Sequence, residues 1–270
     1  MQRSSDRILT TLVGSLPRPI DLRKMWDAKL TGQGHDEATF LSRIKSSSAE
    51  MVQRLADTGI DVVSDGEQGR LGWTNYLSER LAGFEDRPPP PGGTQANSRE
   101  RASGAFAGYF AEVARLRAMG GGREFVPESL QNPDLEMVCV GPVSYHGHEA
   151  MEREISNFKA ALNGVPVAEA FMPSVGPDNV VYQGNKFYGT QDEYTDACAE
   201  AMRTEYQAVI DAGFILQIDT PVMKYDAISM SLEDFRMRFA ELVEIINHAL
   251  RGIPEDRVRI HICYGGGRGP

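Results

Sequence analysis

Short apolar runs alternate along the chain with longer stretches whose apolar residues recur every three or four positions. That is the pattern of βα units built around a parallel sheet. The run Leu9–Val13 predicts a buried first strand ending at Gly14-Ser15. A helix is expected from about Glu37 to Thr58, with Asp36 as N-cap, Gly59 just past its end, and Phe40, Ile44, Met51, Val52 and Leu55 facing inward. Ile60–Val63 reads as the second strand, carrying Ser64-Asp65-Gly66-Glu67 at its C-terminal end. Met137–Val140 and Ala168–Met172 read as two further strands, stopped by Gly141-Pro142 and by Pro173.

The next unit has the clearest periodicity. Tyr194, Cys198, Ala201, Met202, Glu205 and Val209 share a helical face, and Gly213 precedes the strand Phe214–Ile218. Ser231, with Asp234 three residues on, should cap a helix presenting Phe235, Phe239, Leu242, Val243, Ile246 and Leu250. A sixth strand is expected at Arg257–Cys263, and only seven residues follow it. A closed parallel barrel takes eight strands. The expectation is therefore one (β/α)₈ TIM-type barrel domain over residues 1–270, lacking its last two βα units, with a doubly wound open sheet as the alternative. Residues 86–104, rich in proline and glycine, should form a flexible loop inside that domain.

Composition narrows the partners. Apolar residues make up 41% and charged residues 24%, a balance that supports an ordinary globular core. The net charge of -10 disfavours nucleic acid and anionic membrane, which both require a basic footprint. No run approaches the roughly 18 apolar residues of a membrane span. The cysteines, Cys139, Cys198 and Cys263, are odd in number and widely spaced, so a reducing compartment, the cytoplasm, is expected.

Parallel α/β folds gather chemistry at the C-terminal ends of their strands. Four such ends here carry polar groups: Gly14-Ser15, Asp65-Gly66-Glu67, Gln217-Ile218-Asp219 and His261-Ile262-Cys263. His261 and Cys263 are two apart on a predicted strand and so point to one face, where nitrogen and sulfur would suit Zn²⁺. From spacing alone, a buried histidine beside a small apolar cysteine is the simpler reading. Asp65 and Glu67 could receive an ammonium group or work as acid and base, or could merely cap a helix. Asp219 has a turn-forming alternative before Pro221. Cys139 and Cys198 read as core; His146 and His148, two apart in a loop beside Glu149, read as surface histidines with a second metal site as the alternative, while His35 precedes a helix and His248 sits near a helix end.

Taken together, Thr10–Pro19, Gly59–Gln68, Leu216–Asp219 and His261–Gly265 resemble the catalytic domain of cobalamin-independent methionine synthase and its short single-domain relatives. Those relatives include the zinc enzymes that join coenzyme M to epoxyalkanes, and Tyr76–Phe84 is more like them than like the two-domain enzyme. The resemblance implies a barrel enzyme transferring a methyl or other alkyl group from a folate-like donor to a small thiol such as homocysteine. It implies His261 and Cys263 as the first two zinc ligands. Glu67 and Asp219 would be the catalytic carboxylates holding the substrate's amino group, and the Gly14-Ser15 backbone would hold its carboxylate. Metal coordination would strip the thiol proton. The family's later glutamate and cysteine ligands have no counterpart before Pro270, and Thr220 stands where the synthases carry glutamate. This chain is thus expected to bind zinc poorly. A coenzyme M-type transferase, or a silent thiol-binding homologue, are the rival expectations, with homo-oligomer formation through sheet edges a further one.

Overall fold

In the computed structural model, residues 1–87, 107–118, 136–221 and 231–263 are described. The described helices are α1 (Ile20–Leu30), α2 (Glu37–Asp57), α3 (Trp73–Arg80), α4 (Ala107–Ala118), α5 (His148–Leu162), α6 (Pro177–Val181), α7 (Gln191–Asp211) and α8 (Leu232–Ala249). The strands are β1 (Val62–Val63), β2 (Leu81–Arg87), β3 (Glu136–Tyr145), β4 (Glu169–Val175), β5 (Gly184–Asn185), β6 (Ile215–Asp219) and β7 (Val258–His261).

Four strands make an all-parallel sheet in the order β1-β4-β6-β7. Successive side chains on a strand point to opposite faces. Val63, Met172, Leu216 and Ile218 accordingly enter the large core shared with the helices, while Val62, Phe171 and Ile215 form a separate cluster with Leu9. That second face also carries, by the same alternation, Gln217, Asp219, Arg259 and His261. It is strongly concave. The guanidinium of Arg259 on β7 lies 3.6 Å from the Phe171 ring centroid and reaches Thr11 Oγ1 at 3.3 Å. Thr11 bridges Val62 beyond the opposite edge. Four strand spacings of a flat sheet would separate those two backbones by about 19 Å.

Several helices form where the pattern places them. Asp36 accepts from the Thr39 amide, and the stripe Phe40, Ile44, Met51, Val52, Leu55 is buried. Thr190 and Glu193 make a reciprocal capping box on α7, and Ser231 accepts from the Asp234 amide at the start of α8.

Other expectations are corrected. Leu9–Val13 is not a buried strand: it makes one bridge, at Thr11, and Leu12 and Val13 are exposed. Only its β1 side has a strand beside it among the described residues. Met137–Val140 is part of a ten-residue strand that runs antiparallel to β2 in a second, three-stranded sheet, β2-β3-β5. Pro173 does not end its strand, which continues to Val175. Asp86 and Arg87 belong to β2, and the remainder of the expected 86–104 loop lies outside the described residues. So does the glycine-rich tail after Cys263. The architecture is α/β with a parallel sheet, and among the described residues that sheet is open.

Candidate active site at the strand ends

After Val63 the chain turns sharply through Ser64–Gly69 instead of entering a helix. Gly66 has φ +70°, and a Cβ there would stand 2.9 Å from Met51 Cγ. Only glycine fits. Glu67 follows with φ +57°, also left-handed, a conformation that costs a non-glycine residue about 1–3 kcal/mol. Its amide donates to Asp65 Oδ1 at 2.9 Å, and its carboxylate accepts from the Ser15 hydroxyl at 2.5 Å. The strand-end glutamate and the serine of the first strand-like segment therefore meet, although 52 positions separate them.

Asp219 is the last residue of β6 and the register partner of His261, the last residue of β7. Both belong to the concave face. Burial pushes the Asp219 carboxyl up to about 7, Gln217 Nε2 donates to its Oδ1 at 2.8 Å, and the negative charge of Glu67 acts in the same direction as burial. His261 responds to the same neighbour. Burial lowers its pKa, and the charge of Glu67 opposes that. Glu67, Asp219 and His261 thus form one electrostatic cluster at the sheet's C-terminal rim. Cys263 lies two residues beyond the end of β7 and is half-buried.

The Asp219 backbone is gripped from the segment after β4 and from α6. Its carbonyl accepts from the Gly176 amide at 2.8 Å and from Asn179 Nδ2 at 3.0 Å. Gly176 has no room for a side chain, since a Cβ would lie 2.1 Å from Asp178 Oδ1. Asp178 is wholly buried, its Oδ2 has no hydrogen-bond partner among the described residues, and burial raises its pKa to about 7. Beneath the site, Arg70 donates to Glu154 Oε2 at 2.6 Å and to the Pro173 carbonyl at 2.6 Å, and Arg80 also bonds Glu154. Burial acts upward on Glu154, but the two guanidiniums outweigh it and hold the carboxyl below the usual range. Sequence reasoning passed over Arg70, Asn179 and Arg259. The only signal for Asn179 was its place in Gly-Pro-Asp-Asn after a predicted strand, a breaker motif open to many readings.

As for a metal, no group of three or more His, Cys, Asp or Glu side chains converges among the described residues. His261 and Cys263 are the only two of the expected ligands present. A catalytic zinc takes three protein ligands and a structural one four. The described residues do not complete a zinc site.

Residues 8–105, which carry the Ser15 and Glu67 elements, match the family described as the cobalamin-independent synthase catalytic domain. Over these residues the chain is similar to the cobalamin-independent methionine synthases. It is 24% identical over 258 residues to the methionine synthase of Thermococcus kodakarensis, covering 94% of this chain and 61% of that protein. With the 5-methyltetrahydropteroyltriglutamate–homocysteine methyltransferase of Vibrio parahaemolyticus it shares 23% identity over 257 residues, 94% of this chain and 29% of that one. The B12-independent methionine synthase of Shewanella sp. W3-18-1, solved with selenomethionine, superposes with a TM-score of 0.62 at 17% identity, over 95% of this chain and 61% of that one. The chain spans about three fifths of the archaeal synthases it resembles. No described helix is long and apolar enough to cross a membrane.

Proposed function

We propose that this chain recognises a small amino-acid thiol of the homocysteine type and belongs to a machine that methylates its sulfur. The observation carrying this reading is the convergence of Glu67, Asp219 and His261 on one concave rim, with Ser15 bound to Glu67. The names of the relatives favour methyl transfer from a folate to homocysteine over other thiol chemistry.

In this reading Glu67 and Asp219 hold the ammonium group, and the Gly14-Ser15 segment lies against the carboxylate. The side chain then runs towards His261 and Cys263. An ammonium between two carboxylates favours their charged forms and draws Asp219 down from its raised pKa. The sulfur displaces nitrogen at the donor's methyl carbon. An S–C bond forms as the C–N bond breaks, and the thiol proton ends on the departing nitrogen. The expected Zn²⁺ would supply thiol activation, but the two donors among the described residues do not make its site. The curvature that lets Arg259 reach Thr11 supports a barrel-type architecture. A cytoplasmic setting suits free thiols and such substrates.

The incomplete metal donor set among the described residues favours one rival, a homologue that binds the thiol without turning it over. Calorimetric titration with L-homocysteine, paired with an assay for methionine from 5-methyltetrahydropteroyl-triglutamate, separates the two. Binding with methionine formation supports the transferase, binding alone supports the silent homologue, and no binding removes both.

A further inference from the structure

Arg18 presents a puzzle. It is half-buried and makes no direct ion pair among the described residues, although the charges of Glu67 and Asp65 act on it; its N–H groups go to backbone carbonyls instead. Nη2 donates to the carbonyl of Glu67 at 2.7 Å and to that of Arg70, and Nε donates to that of Gln68 at 3.3 Å. All three acceptors belong to the turn that holds Glu67 in its left-handed conformation. The same turn is tied to Arg18's own segment by two further bonds. The Leu16 amide donates to the Gly66 carbonyl at 3.0 Å, and Gln68 Nε2 donates to the Leu16 carbonyl at 3.3 Å. Ser47, on α2, anchors the other end of the Gln68 amide at 2.7 Å.

A glutamate released from such restraints relaxes to negative φ, which swings its side chain away from the present direction. A planar guanidinium can satisfy several fixed carbonyls at once, whereas a lysine ammonium is a single compact point of charge. We infer that Arg18 is a positioning residue: it holds the Gly66–Arg70 turn so that the Glu67 carboxylate faces the substrate's ammonium group beside Asp219. This rests on the amine-recognition reading above. Arg18 touches neither the thiol nor the donor, so its effect should appear only in what Glu67 recognises.

The test compares two ligands on the full chain by calorimetry: L-homocysteine and 4-mercaptobutanoate, which keeps the thiol and carboxylate but lacks the amine. Any contribution from the sulfur end cancels in the ratio of their affinities. Wild type should favour L-homocysteine by about tenfold to a hundredfold, the worth of a charge-assisted contact. In R18M, and to a lesser degree in R18K, that preference should collapse while 4-mercaptobutanoate binds as before. A purely structural role would weaken both ligands alike, or lower the melting temperature and leave the ratio intact. Should R18M fail to fold, R18K decides. An unchanged ratio in folded variants overturns this inference while the amine reading stands. Absence of any preference in wild type overturns the amine reading and this inference with it.

Discussion

Asp219 and His261 face each other as register partners at the last rung of two parallel strands, the acid on β6 and the imidazole on β7. Their backbones are joined as well, since the amide of Thr220 donates to the His261 carbonyl at 2.9 Å. The pair is thus tied through the sheet's own hydrogen bonding.

The first expectation concerns the acid. Burial raises Asp219 to about 7, so its charge, and its hold on an ammonium group, is lost as pH falls through that value. Affinity for L-homocysteine should drop by about tenfold per pH unit below that point. D219N should bind weakly with a flat profile from pH 5.5 to 8. A wild-type profile as flat as the variant's would refute the assignment.

Asp178 tests the interior. Its folded pKa of about 7 exceeds the ordinary 3.8, so the favourable contribution of its neutral form is complete below about pH 4 and is lost as pH rises through 7. D178N should therefore raise stability at pH 8 by about 2–4 kcal/mol in urea denaturation, with little gain at pH 4. Equal gains at the two pH values would contradict the burial-raised carboxyl.

Glu154 lies between Arg70 and Arg80 and is held below the usual carboxylate range. E154Q leaves two guanidiniums facing each other without their counter-charge. The loss should be about 3–5 kcal/mol, the usual cost of removing one partner from a buried ion pair. In wild type the depressed pKa means that this contribution is present at neutral pH and fades as acid protonates Glu154. A melting temperature unchanged by E154Q would show the ion set to be dispensable.

Metal binding gives a fourth check. With His261 and Cys263 as the only expected ligands among the described residues, equilibrium dialysis should find zinc held weakly, and C263A should weaken it further. Stoichiometric, tight zinc on these 270 residues would show that further donors complete the site.

How much of this was legible in sequence depended on whether a local pattern had one physical meaning. The stripe of α2 did, because five apolar residues at helical spacing beside an Asp N-cap have few other uses. The strand-end carboxylates and histidine were legible for a similar reason: polar groups closing an apolar run in a parallel fold belong at a rim. Prolines misled. Pro142 looked like a stop but lies in β3 near the irregular register opposite Gly83, where a missing N–H breaks no regular ladder. Pro173 survives inside β4 because β1 pairs only with Glu169 and Ala170, leaving the proline paired on its β6 side alone. Leu9–Val13 misled in the opposite sense, since apolar character alone cannot show whether a second neighbouring strand exists. Arg18 was invisible because its partners are carbonyls, which every residue has.

Gly176 makes the least chemical contribution of any residue near the rim, yet the space it leaves is filled by the Asp178 carboxylate and bounded by the Asp219 carbonyl. A library randomised at this codon and selected for ligand capture should return glycine alone, because even alanine's methyl would need the volume an oxygen already occupies. Substitution at this position is therefore limited by volume and not by charge.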